Sequence, residues 1–458
     1  MKKAILLMLP ILLLAACGET PTPEPPEPTP PEPIPGEIRY EYTPTLRKET
    51  STKTSKYLCS FFYKDEYFKE DAKVFNKDLA LLSCGKSLMS ESEKTIKDFY
   101  SQAEFDNVET HYVTVKTEDT VSYAFAHIKI EEFDLVSLVV CGHDYGLEWK
   151  NNFLVGESGD HLGFSMRAND IYSSLKTYLA GYENYKLWIS GYSRGAAIAN
   201  VLSHYILSRD EIEIEQEDMF VYTFEAPKGL AAENAIPYEN VFNVIYSGDI
   251  ITYFAPAELG LARCGVDYDL YTSSQDLNDK LTAFDKDIDM PKFVPYNDLT
   301  DSSRKVATEQ EGIQSLITYL SREGTDSDSE LYFHTRQDYV DKVQHTLQTV
   351  FSIIFSVPAE VLALMIEGAM ENILTLLGSP EAICNFIMPF LDLAGYAYDP
   401  DVLLADCTVV YKLAMTNVLA ILPIVSGGNM SDALKRAAKV HFPEVDYILL
   451  KNLCSSSN

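Results

Sequence analysis

The chain has 458 residues, which is long enough for one large α/β domain with a sizeable insertion, or for two domains. Its formal net charge is −31 at pH 7. A surface this negative repels phosphate backbones and anionic headgroups, so nucleic acid is not expected as a partner.

Residues 1–16 are predicted to be a targeting segment that is absent from the mature chain. Lys2 and Lys3 precede an apolar run that is too short to span a bilayer, and Leu14-Ala15-Ala16-Cys17 follows. This arrangement resembles a bacterial lipoprotein signal, in which the cysteine is lipidated and becomes the first residue. The alternative is an ordinary secretory peptide with an incidental cysteine. Cys17 is therefore the predicted lipid anchor, and the predicted location is the cell membrane, outside the cytoplasm.

Residues 17–37 are predicted to be the lipidated cysteine and a tether, because nine prolines lie between residues 20 and 35. Such a segment holds an extended polyproline II form and would span about 50 Å. With Cys17 assigned to lipid, seven cysteines remain, and none forms a Cys-x-x-Cys pair. This usage supports neither a metal site nor a complete disulfide framework, and the sequence suggests no cofactor.

Residues 38–256 show strands that alternate with helices, which is typical of a mostly parallel sheet with helices on both faces. The predicted elements are, in order, a strand or turn at 57–64, helices at 71–83 and 92–103, strands at 121–130 and 135–141, a helix at 168–179, a strand at 185–189, a helix at 196–206, and strands at 220–224 and 241–246.

Residues 257–435 have a different character and are predicted to form a mainly helical insertion, a cap or lid. The part from 260 to 310 is polar, whereas 339–377 and 403–424 are apolar and helical in pattern. Charged residues within the two apolar stretches argue against a membrane span. Residues 436–458 are predicted to return to the α/β core and complete it.

Ser193 is the first candidate for chemistry, because it is the centre of the Gly-x-Ser-x-Gly pattern at 191–195. The pattern follows an apolar run and precedes a small-residue helix start, which is the strand–turn–helix context of a nucleophile elbow. A serine hydroxyl becomes an effective nucleophile when a histidine takes its proton and a carboxylate orients that histidine. The alternative is a glycine-rich turn that happens to carry a serine.

Asp249 and a later histidine are the candidate partners, since the order Ser, Asp or Glu, His is usual in the doubly wound hydrolase fold. Asp249 follows the apolar run 241–246 and a small-residue break. Three histidines follow it. His345 lies in a helical pattern, whereas His334 and His441 both lie in plausible loops, and spacing alone does not choose between these two.

The stretch from about 120 to 256, together with the C-terminus, resembles the class 3 lipase family of α/β-hydrolases. The resemblance implies that Ser193, Asp249 and His441 form a catalytic triad, and that the backbone N–H groups of Arg194 and His143 form the oxyanion hole. The motifs that carry it are Val139-Val140-Cys141-Gly142-His143 (an oxyanion turn), His161-Leu162-Gly163-Phe164, Gly191-Tyr192-Ser193-Arg194-Gly195, Phe224-Glu225-Ala226-Pro227 (for Phe-Gly-Ala-Pro), Gly248-Asp249-Ile250-Ile251 and His441-Phe442-Pro443-Glu444.

Several residues depart from the family pattern. Cys141 stands where the family has arginine, and Tyr192 and Arg194 replace histidine and leucine beside the serine. The interval between Asp249 and His441 is also far longer than usual. His161 matches a family element that is read as structural.

The function predicted from these observations is that of a lipid-anchored, cell-envelope serine hydrolase. It would cleave carboxylic esters, such as acyl-glycerol-like lipids. One alternative is a catalytically inactive surface-binding lipoprotein on the same fold. Another is a peptidase, or an esterase that acts on peptidoglycan, with the same triad.

Overall fold

The computed structural model describes residues 35–42, 56–112, 121–131, 133–142, 151–152, 154–246, 249–253, 255, 259–270, 274–284, 335–344, 361, 379–393, 395, 397–408 and 441–455. The chain divides into two units, Met1–Pro35 and Gly36–Asn458. Every helix and strand below belongs to the second unit. The predicted signal segment, Cys17 and nearly all of the tether lie outside the described residues.

A seven-stranded sheet is the centre of the fold. Its strands are β3 (Asp106–His111), β4 (Tyr123–Ile130), β5 (Phe133–Val140), β6 (Tyr185–Tyr192), β7 (Met219–Phe224), β9 (Val241–Ile245) and β11 (Val266–Asp269). They lie in the order β11-β9-β7-β6-β5-β4-β3. The first five strands of this order run parallel, and β4 and β3 add two antiparallel strands at one edge. A mostly parallel sheet is thus confirmed.

Helices cover both faces of this sheet, as the alternating pattern predicts. Along β6, Trp188 packs in one core and Leu187 and Ile189 pack in the other, since successive side chains point to opposite faces. The first core also includes side chains of α1 (Lys77–Met89), α2 (Glu93–Gln102) and α9 (Pro443–Ser455), whereas the second includes those of α3 (Leu162–Leu179) and α4 (Arg194–Ser208).

Two helix starts differ from the sequence expectation. Helix α1 begins at Lys77 rather than at 71, because the Asn76 side chain accepts hydrogen bonds from the backbone N–H groups of Asp78 and Leu79 and so caps the helix there. Helix α3 begins at Leu162, six residues before the predicted start. Strand β2 (Tyr57–Phe62) lies within the strand or turn predicted at 57–64, whereas its antiparallel partner β1 (Glu37–Tyr42) was missed, as was the short pair β8 (Leu230–Ala231) and β10 (Leu261–Ala262).

The predicted boundary between core and insertion, after residue 256, is too early. Strand β11 pairs in parallel with β9 and extends the main sheet. Helix α5 (Ser274–Phe284) then packs Leu277 and Leu281 into the first core. The apolar residues of β11 and α5 have mostly polar neighbours in the sequence, so their hydrophobic pattern is weak. The sheet edge that β11 completes is visible only in the folded chain.

After α5, the described elements of the predicted insertion are helices. They are α6 (Arg336–Tyr339), which continues as a π-helix over Val340–Gln344, α7 (Pro380–Leu393) and α8 (400–408). Cys384 on α7 and Cys407 on α8 are buried in one small cluster with Leu391 and Leu403. Most of the apolar stretches 339–377 and 403–424 lie outside the described residues. Within the described part of the chain, no helix has the length and apolar character needed to cross a bilayer.

A buried polar network lies behind β6, the strand that leads to Ser193. Lys86 on α1 is fully buried, and its Nζ donates to Ser137 Oγ at 2.8 Å and to the carbonyl oxygens of Leu138 at 3.2 Å and Trp188 at 3.1 Å. The same nitrogen lies 3.5 Å from the centroid of the Trp188 ring. Burial lowers the pKa of Lys86 well below its usual range. The network therefore ties α1 to the two central strands of the sheet.

The low pKa of Lys86 predicts a pH-dependent contribution to stability. The unfolded chain keeps this proton up to about pH 10.5, whereas the folded protein releases it earlier, so the free energy of unfolding should rise with pH over that interval. Lys86→Met removes the titrating group and keeps most of the volume. We expect the stability advantage of the wild type over Lys86→Met, measured by urea unfolding, to be larger at about pH 9.5 than at about pH 7. A difference that does not change with pH would contradict this.

Candidate active site

Ser193 lies at the carboxyl end of β6, in the turn that enters α4. Its backbone has φ +53° and ψ −124°, a conformation that L-residues rarely adopt. The Ser193 N–H donates to the carbonyl oxygen of Phe224 at 2.8 Å, and the Ser193 carbonyl accepts from Ala197 N–H at 3.0 Å. The strained turn is thus held by the neighbouring strand and by the helix, and it projects the hydroxyl above the ends of the parallel strands.

The two glycines of the motif are required by close packing. A Cβ at Gly191 would lie 2.6 Å from the carbonyl oxygen of Gly195, and a Cβ at Gly195 would lie 2.4 Å from that of Val140. Both neighbours are backbone atoms, which cannot move aside as a flexible side chain does. The Gly-x-Ser-x-Gly pattern is therefore explained by the geometry of the turn.

His441 and Asp249 complete a hydrogen-bonded chain with the serine. His441 Nε2 lies 2.6 Å from Ser193 Oγ, and His441 Nδ1 lies 2.5 Å from Asp249 Oδ2. Asp249 is fully buried, and its Oδ1 accepts the N–H of Ile251 at 2.9 Å. Ser193 is 6% exposed, so a narrow approach to the hydroxyl remains. This arrangement allows proton transfer from the serine to an imidazole that a carboxylate orients.

Long-range packing brings His441 to the serine. His441 comes just before α9, whose Val445, Tyr447 and Ile448 are buried in the first core. Tyr192, the residue before Ser193, donates its hydroxyl hydrogen to the carbonyl oxygen of His441 at 2.7 Å. The tyrosine that departs from the family pattern therefore anchors the backbone that carries the imidazole.

Two buried acids lie beside the hydrogen-bonded Ser193, His441 and Asp249. Neither was predicted from the sequence as a site residue. Glu225 follows β7 with φ +50°, and Asp446 lies in the first turn of α9; each is 1% exposed. Burial, together with Asp446 and Asp249, raises the pKa of Glu225 well above its usual range. Burial also raises the pKa of Asp446 to about 7. The signal available in the sequence was the glutamate at the glycine position of Phe-Gly-Ala-Pro.

Of the two residues predicted for the oxyanion hole, only Arg194 is described. It opens α4, so its backbone N–H lies at the helix N-terminus, where the helix dipole favours negative charge. His143 lies outside the described residues, although Cys141 and Gly142 before it are buried at the end of β5. His334 and His345 lie outside them as well.

His161 is a packed structural residue, in agreement with the sequence analysis. Its ring stacks on Phe164 with centroids 3.9 Å apart, and its Nε2 lies 3.1 Å from the carbonyl oxygen of Asn152. Burial lowers the pKa of His161 to about 3, so the ring is neutral.

A residue from the predicted insertion holds the loop before α3. The guanidinium of Arg336 donates to the carbonyl oxygens of Val155 at 2.6 Å, Gly156 at 2.9 Å and Gly159 at 2.6 Å. At the end of this loop, Asp160 accepts the N–H of Ala231 at 2.9 Å. A residue of the predicted insertion thus helps to hold the loop between β5 and α3.

Comparison with known protein families gives a match for the central segment of the chain. Residues 86–259 match the family described as Lipase (class 3). No curated protein matches the sequence.

Several solved lipase structures are similar. They include a propeptide complex of Rhizomucor miehei lipase (15% identity, TM-score 0.33, covering 45% of this chain and 69% of that one), a lipase from Rhizopus microsporus var. chinensis (13%, 0.32, 54% and 87%) and the Lip2 lipase from Yarrowia lipolytica (16%, 0.33, 46% and 80%). At these TM-scores the likeness adds nothing to the functional assignment.

Proposed function

We infer, from the premise that residues 86–259 belong to the class 3 lipase family, that this chain is a serine hydrolase of carboxylic esters with Ser193, His441 and Asp249 as its triad. The observation that best supports the triad is the pair of hydrogen bonds, 2.6 Å from Ser193 Oγ to His441 and 2.5 Å from His441 to Asp249. Acyl-glycerol-like lipids are the proposed substrates, since the family acts on lipid esters.

In the proposed mechanism, His441 Nε2 takes the proton of Ser193 as the oxygen attacks the ester carbonyl. Asp249 keeps the imidazole oriented and stabilises the imidazolium that forms. His441 then returns the proton to the departing alcohol, which leaves an acyl group on Ser193. Water releases the acyl group in a second step that uses the same base.

The carbonyl oxygen becomes negatively charged in the tetrahedral intermediate and requires hydrogen-bond donors. The backbone N–H of Arg194, at the N-terminus of α4, is the proposed first donor, and that of His143 is the proposed second. The loss of one such donor from a hydrolase typically lowers kcat by about 10²- to 10³-fold.

Labelling with a fluorophosphonate tests the proposal directly, because this probe reacts with serines that a neighbouring base activates. We expect stoichiometric phosphonylation of the wild type at Ser193, identified by peptide mass spectrometry. Turnover of p-nitrophenyl esters with short and long acyl chains would then distinguish an esterase from a lipase. A folded protein that resists the probe and hydrolyses no ester would instead favour the binding lipoprotein.

We also propose that the protein is held at the outer face of the cell membrane by acylation of Cys17. The support is sequence alone, namely the Leu14-Ala15-Ala16-Cys17 pattern and the proline-rich segment after it. A tether of this length would let the hydrolase reach esters in the surrounding envelope.

The anchor predicts a clear difference between two forms of the protein. When expressed in a bacterial host, the wild type should incorporate labelled fatty acid and sediment with membranes. Cys17→Ser should do neither, because it lacks the thiol that is acylated. A wild type that is soluble and unlabelled would refute the anchor without affecting the proposed chemistry.

A further inference from the structure

The proposed mechanism leaves one strained and buried acid unused. Glu225 has φ +50°, a conformation that favours glycine, and it is 1% exposed. Backbone strain of this kind persists only where the surrounding structure demands it. Glu225 directly follows Phe224, the residue whose carbonyl oxygen receives the N–H of Ser193. The strain thus occurs one residue from the hydrogen bond that supports the nucleophile.

Three carboxyl groups share this buried space. The Glu225 carboxyl is within hydrogen-bonding reach of both Asp446 and Asp249. None of the three residues is more than 1% exposed. Three adjacent carboxylates cannot all be ionised away from water, because each charge lacks solvation and repels the others.

The hydrogen bonds of the cluster show where a proton is needed. Glu225 Oε1 accepts the backbone N–H of Tyr246 at 2.7 Å, and Asp249 Oδ2 faces His441 at 2.5 Å. Glu225 Oε2 and both carboxyl oxygens of Asp446 are buried and receive no N–H donor from the described residues. The Tyr192 hydroxyl is a hydrogen-bonding neighbour of Asp446, and a hydrogen on Glu225 Oε2 provides a donor within the cluster itself.

The other titratable groups around the cluster come from α1, β6 and the start of α9. They are Cys84, Tyr192 and His441. Burial raises the pKa of both Cys84 and Tyr192, so these two are neutral. Arg263 donates to the carbonyl oxygen of Ala226, beside Glu225, but its charge is paired with Asp267 at 2.6 Å. His441 is therefore the one member of this group that can supply a positive charge.

These surroundings raise the pKa values of both Glu225 and Asp446. Burial and the two neighbouring carboxyls raise the pKa of Glu225 well above its usual range, whereas the pKa of Asp446 rises to about 7. Asp249 Oδ2 faces His441, whereas Glu225 Oε2 is buried without an N–H donor among the described residues, so the geometry assigns the shared proton to Glu225.

We propose that Glu225 is a positioning residue of the catalytic site, which remains protonated and shares its one hydrogen with the adjoining carboxyl groups of Asp249 and Asp446. This proposal rests on the proposed triad mechanism. A hydrogen bond from Glu225 to the Asp249 carboxyl restricts its orientation, so Glu225 holds Asp249 toward His441. Through Asp446 it also holds the first turn of α9, which follows His441, against the end of β7.

Two substitutions separate this role from simple packing. Glu225→Gln keeps a donor of the same shape that cannot ionise, and Glu225→Gly removes the side chain while it relieves the backbone strain. We expect Glu225→Gln to stay within about threefold of wild-type kcat at pH 7, and Glu225→Gly to lose about 10- to 100-fold in kcat with little change in KM. A Gln variant as impaired as the Gly variant would overturn the proposal.

The pH profile provides a second readout. In the wild type, kcat should fall on the alkaline side as Glu225 loses its proton and repels Asp249. In Glu225→Gln the plateau should extend to higher pH, because the amide does not titrate. Glu444→Gln is the matched control, since Glu444 is a buried acid on α9 whose charge acts on Cys59, and its profile should follow the wild type. An unchanged alkaline limb in Glu225→Gln would refute the proposal.

A measurement without turnover separates this proposal from the proposed function. In a Ser193→Ala background at pH 7, infrared spectroscopy should detect C=O absorption of protonated carboxylic acid, and Glu225→Gln should remove the component that belongs to Glu225. An absent band, or a band unchanged by the substitution, overturns the proposal whatever the activity. If the band depends on Glu225 but the wild type hydrolyses no ester, the protonated Glu225 stands and the proposed function fails.

Discussion

Replacement of Ser193 by alanine is expected to lower kcat for ester hydrolysis by about 10⁴- to 10⁶-fold. The reason is that the attacking oxygen is lost, while the histidine and the oxyanion donors remain. The fold should be unaffected, since the turn at residue 193 is held by backbone hydrogen bonds to Phe224 and Ala197. Steady-state kinetics and labelling by a fluorophosphonate both measure the effect.

Ser190→Ala is the matched control for this experiment. Ser190 lies three residues earlier on β6, is fully buried, and its hydroxyl lies 3.2 Å from that of Ser87 on α1. The control should therefore retain the label and most of the turnover. If Ser193→Ala kept wild-type turnover, or if the probe modified another serine, the nucleophile would be misassigned.

Removal of His441 is expected to have the second large effect, a loss of about 10³- to 10⁶-fold in kcat. His441 Nε2 is the group 2.6 Å from the hydroxyl that must lose its proton. His334→Ala should retain most of the activity. His334 follows a strongly acidic stretch of the sequence. We do not expect such a stretch to hold a base in place to within about half an ångström, as catalysis requires.

The paired variants decide between two histidines that the sequence alone left open. Circular dichroism should show wild-type secondary structure in both, because His441 lies in the turn before α9 and contributes no apolar side chain to the core. The opposite result, with activity lost in His334→Ala and kept in His441→Ala, would place the base within the insertion.

Local sequence patterns determined much of this protein. The alternation of apolar strands and helices predicted a mostly parallel sheet with helices on both faces, because those periods reflect burial within each segment. Gly191, Ser193 and Gly195 predicted the elbow, since only glycine tolerates backbone atoms at 2.4–2.6 Å from a Cβ position. Asp249 was predicted in the same way, from a strand followed by a turn. Each of these patterns is local to its own segment of the sequence.

The tertiary structure decided what depends on distant partners. His441 is 248 residues from Ser193 in sequence, and packing of α9 on the sheet brings the two within 2.6 Å. Strand β11 joins the sheet although its own pattern is weak, because its partner is β9. Glu225 and Asp446 look like ordinary surface acids in the sequence, and their burial beside Asp249 follows from the meeting of β7, β9 and α9. Burial and proximity are properties of contacts between segments, and no single segment specifies them.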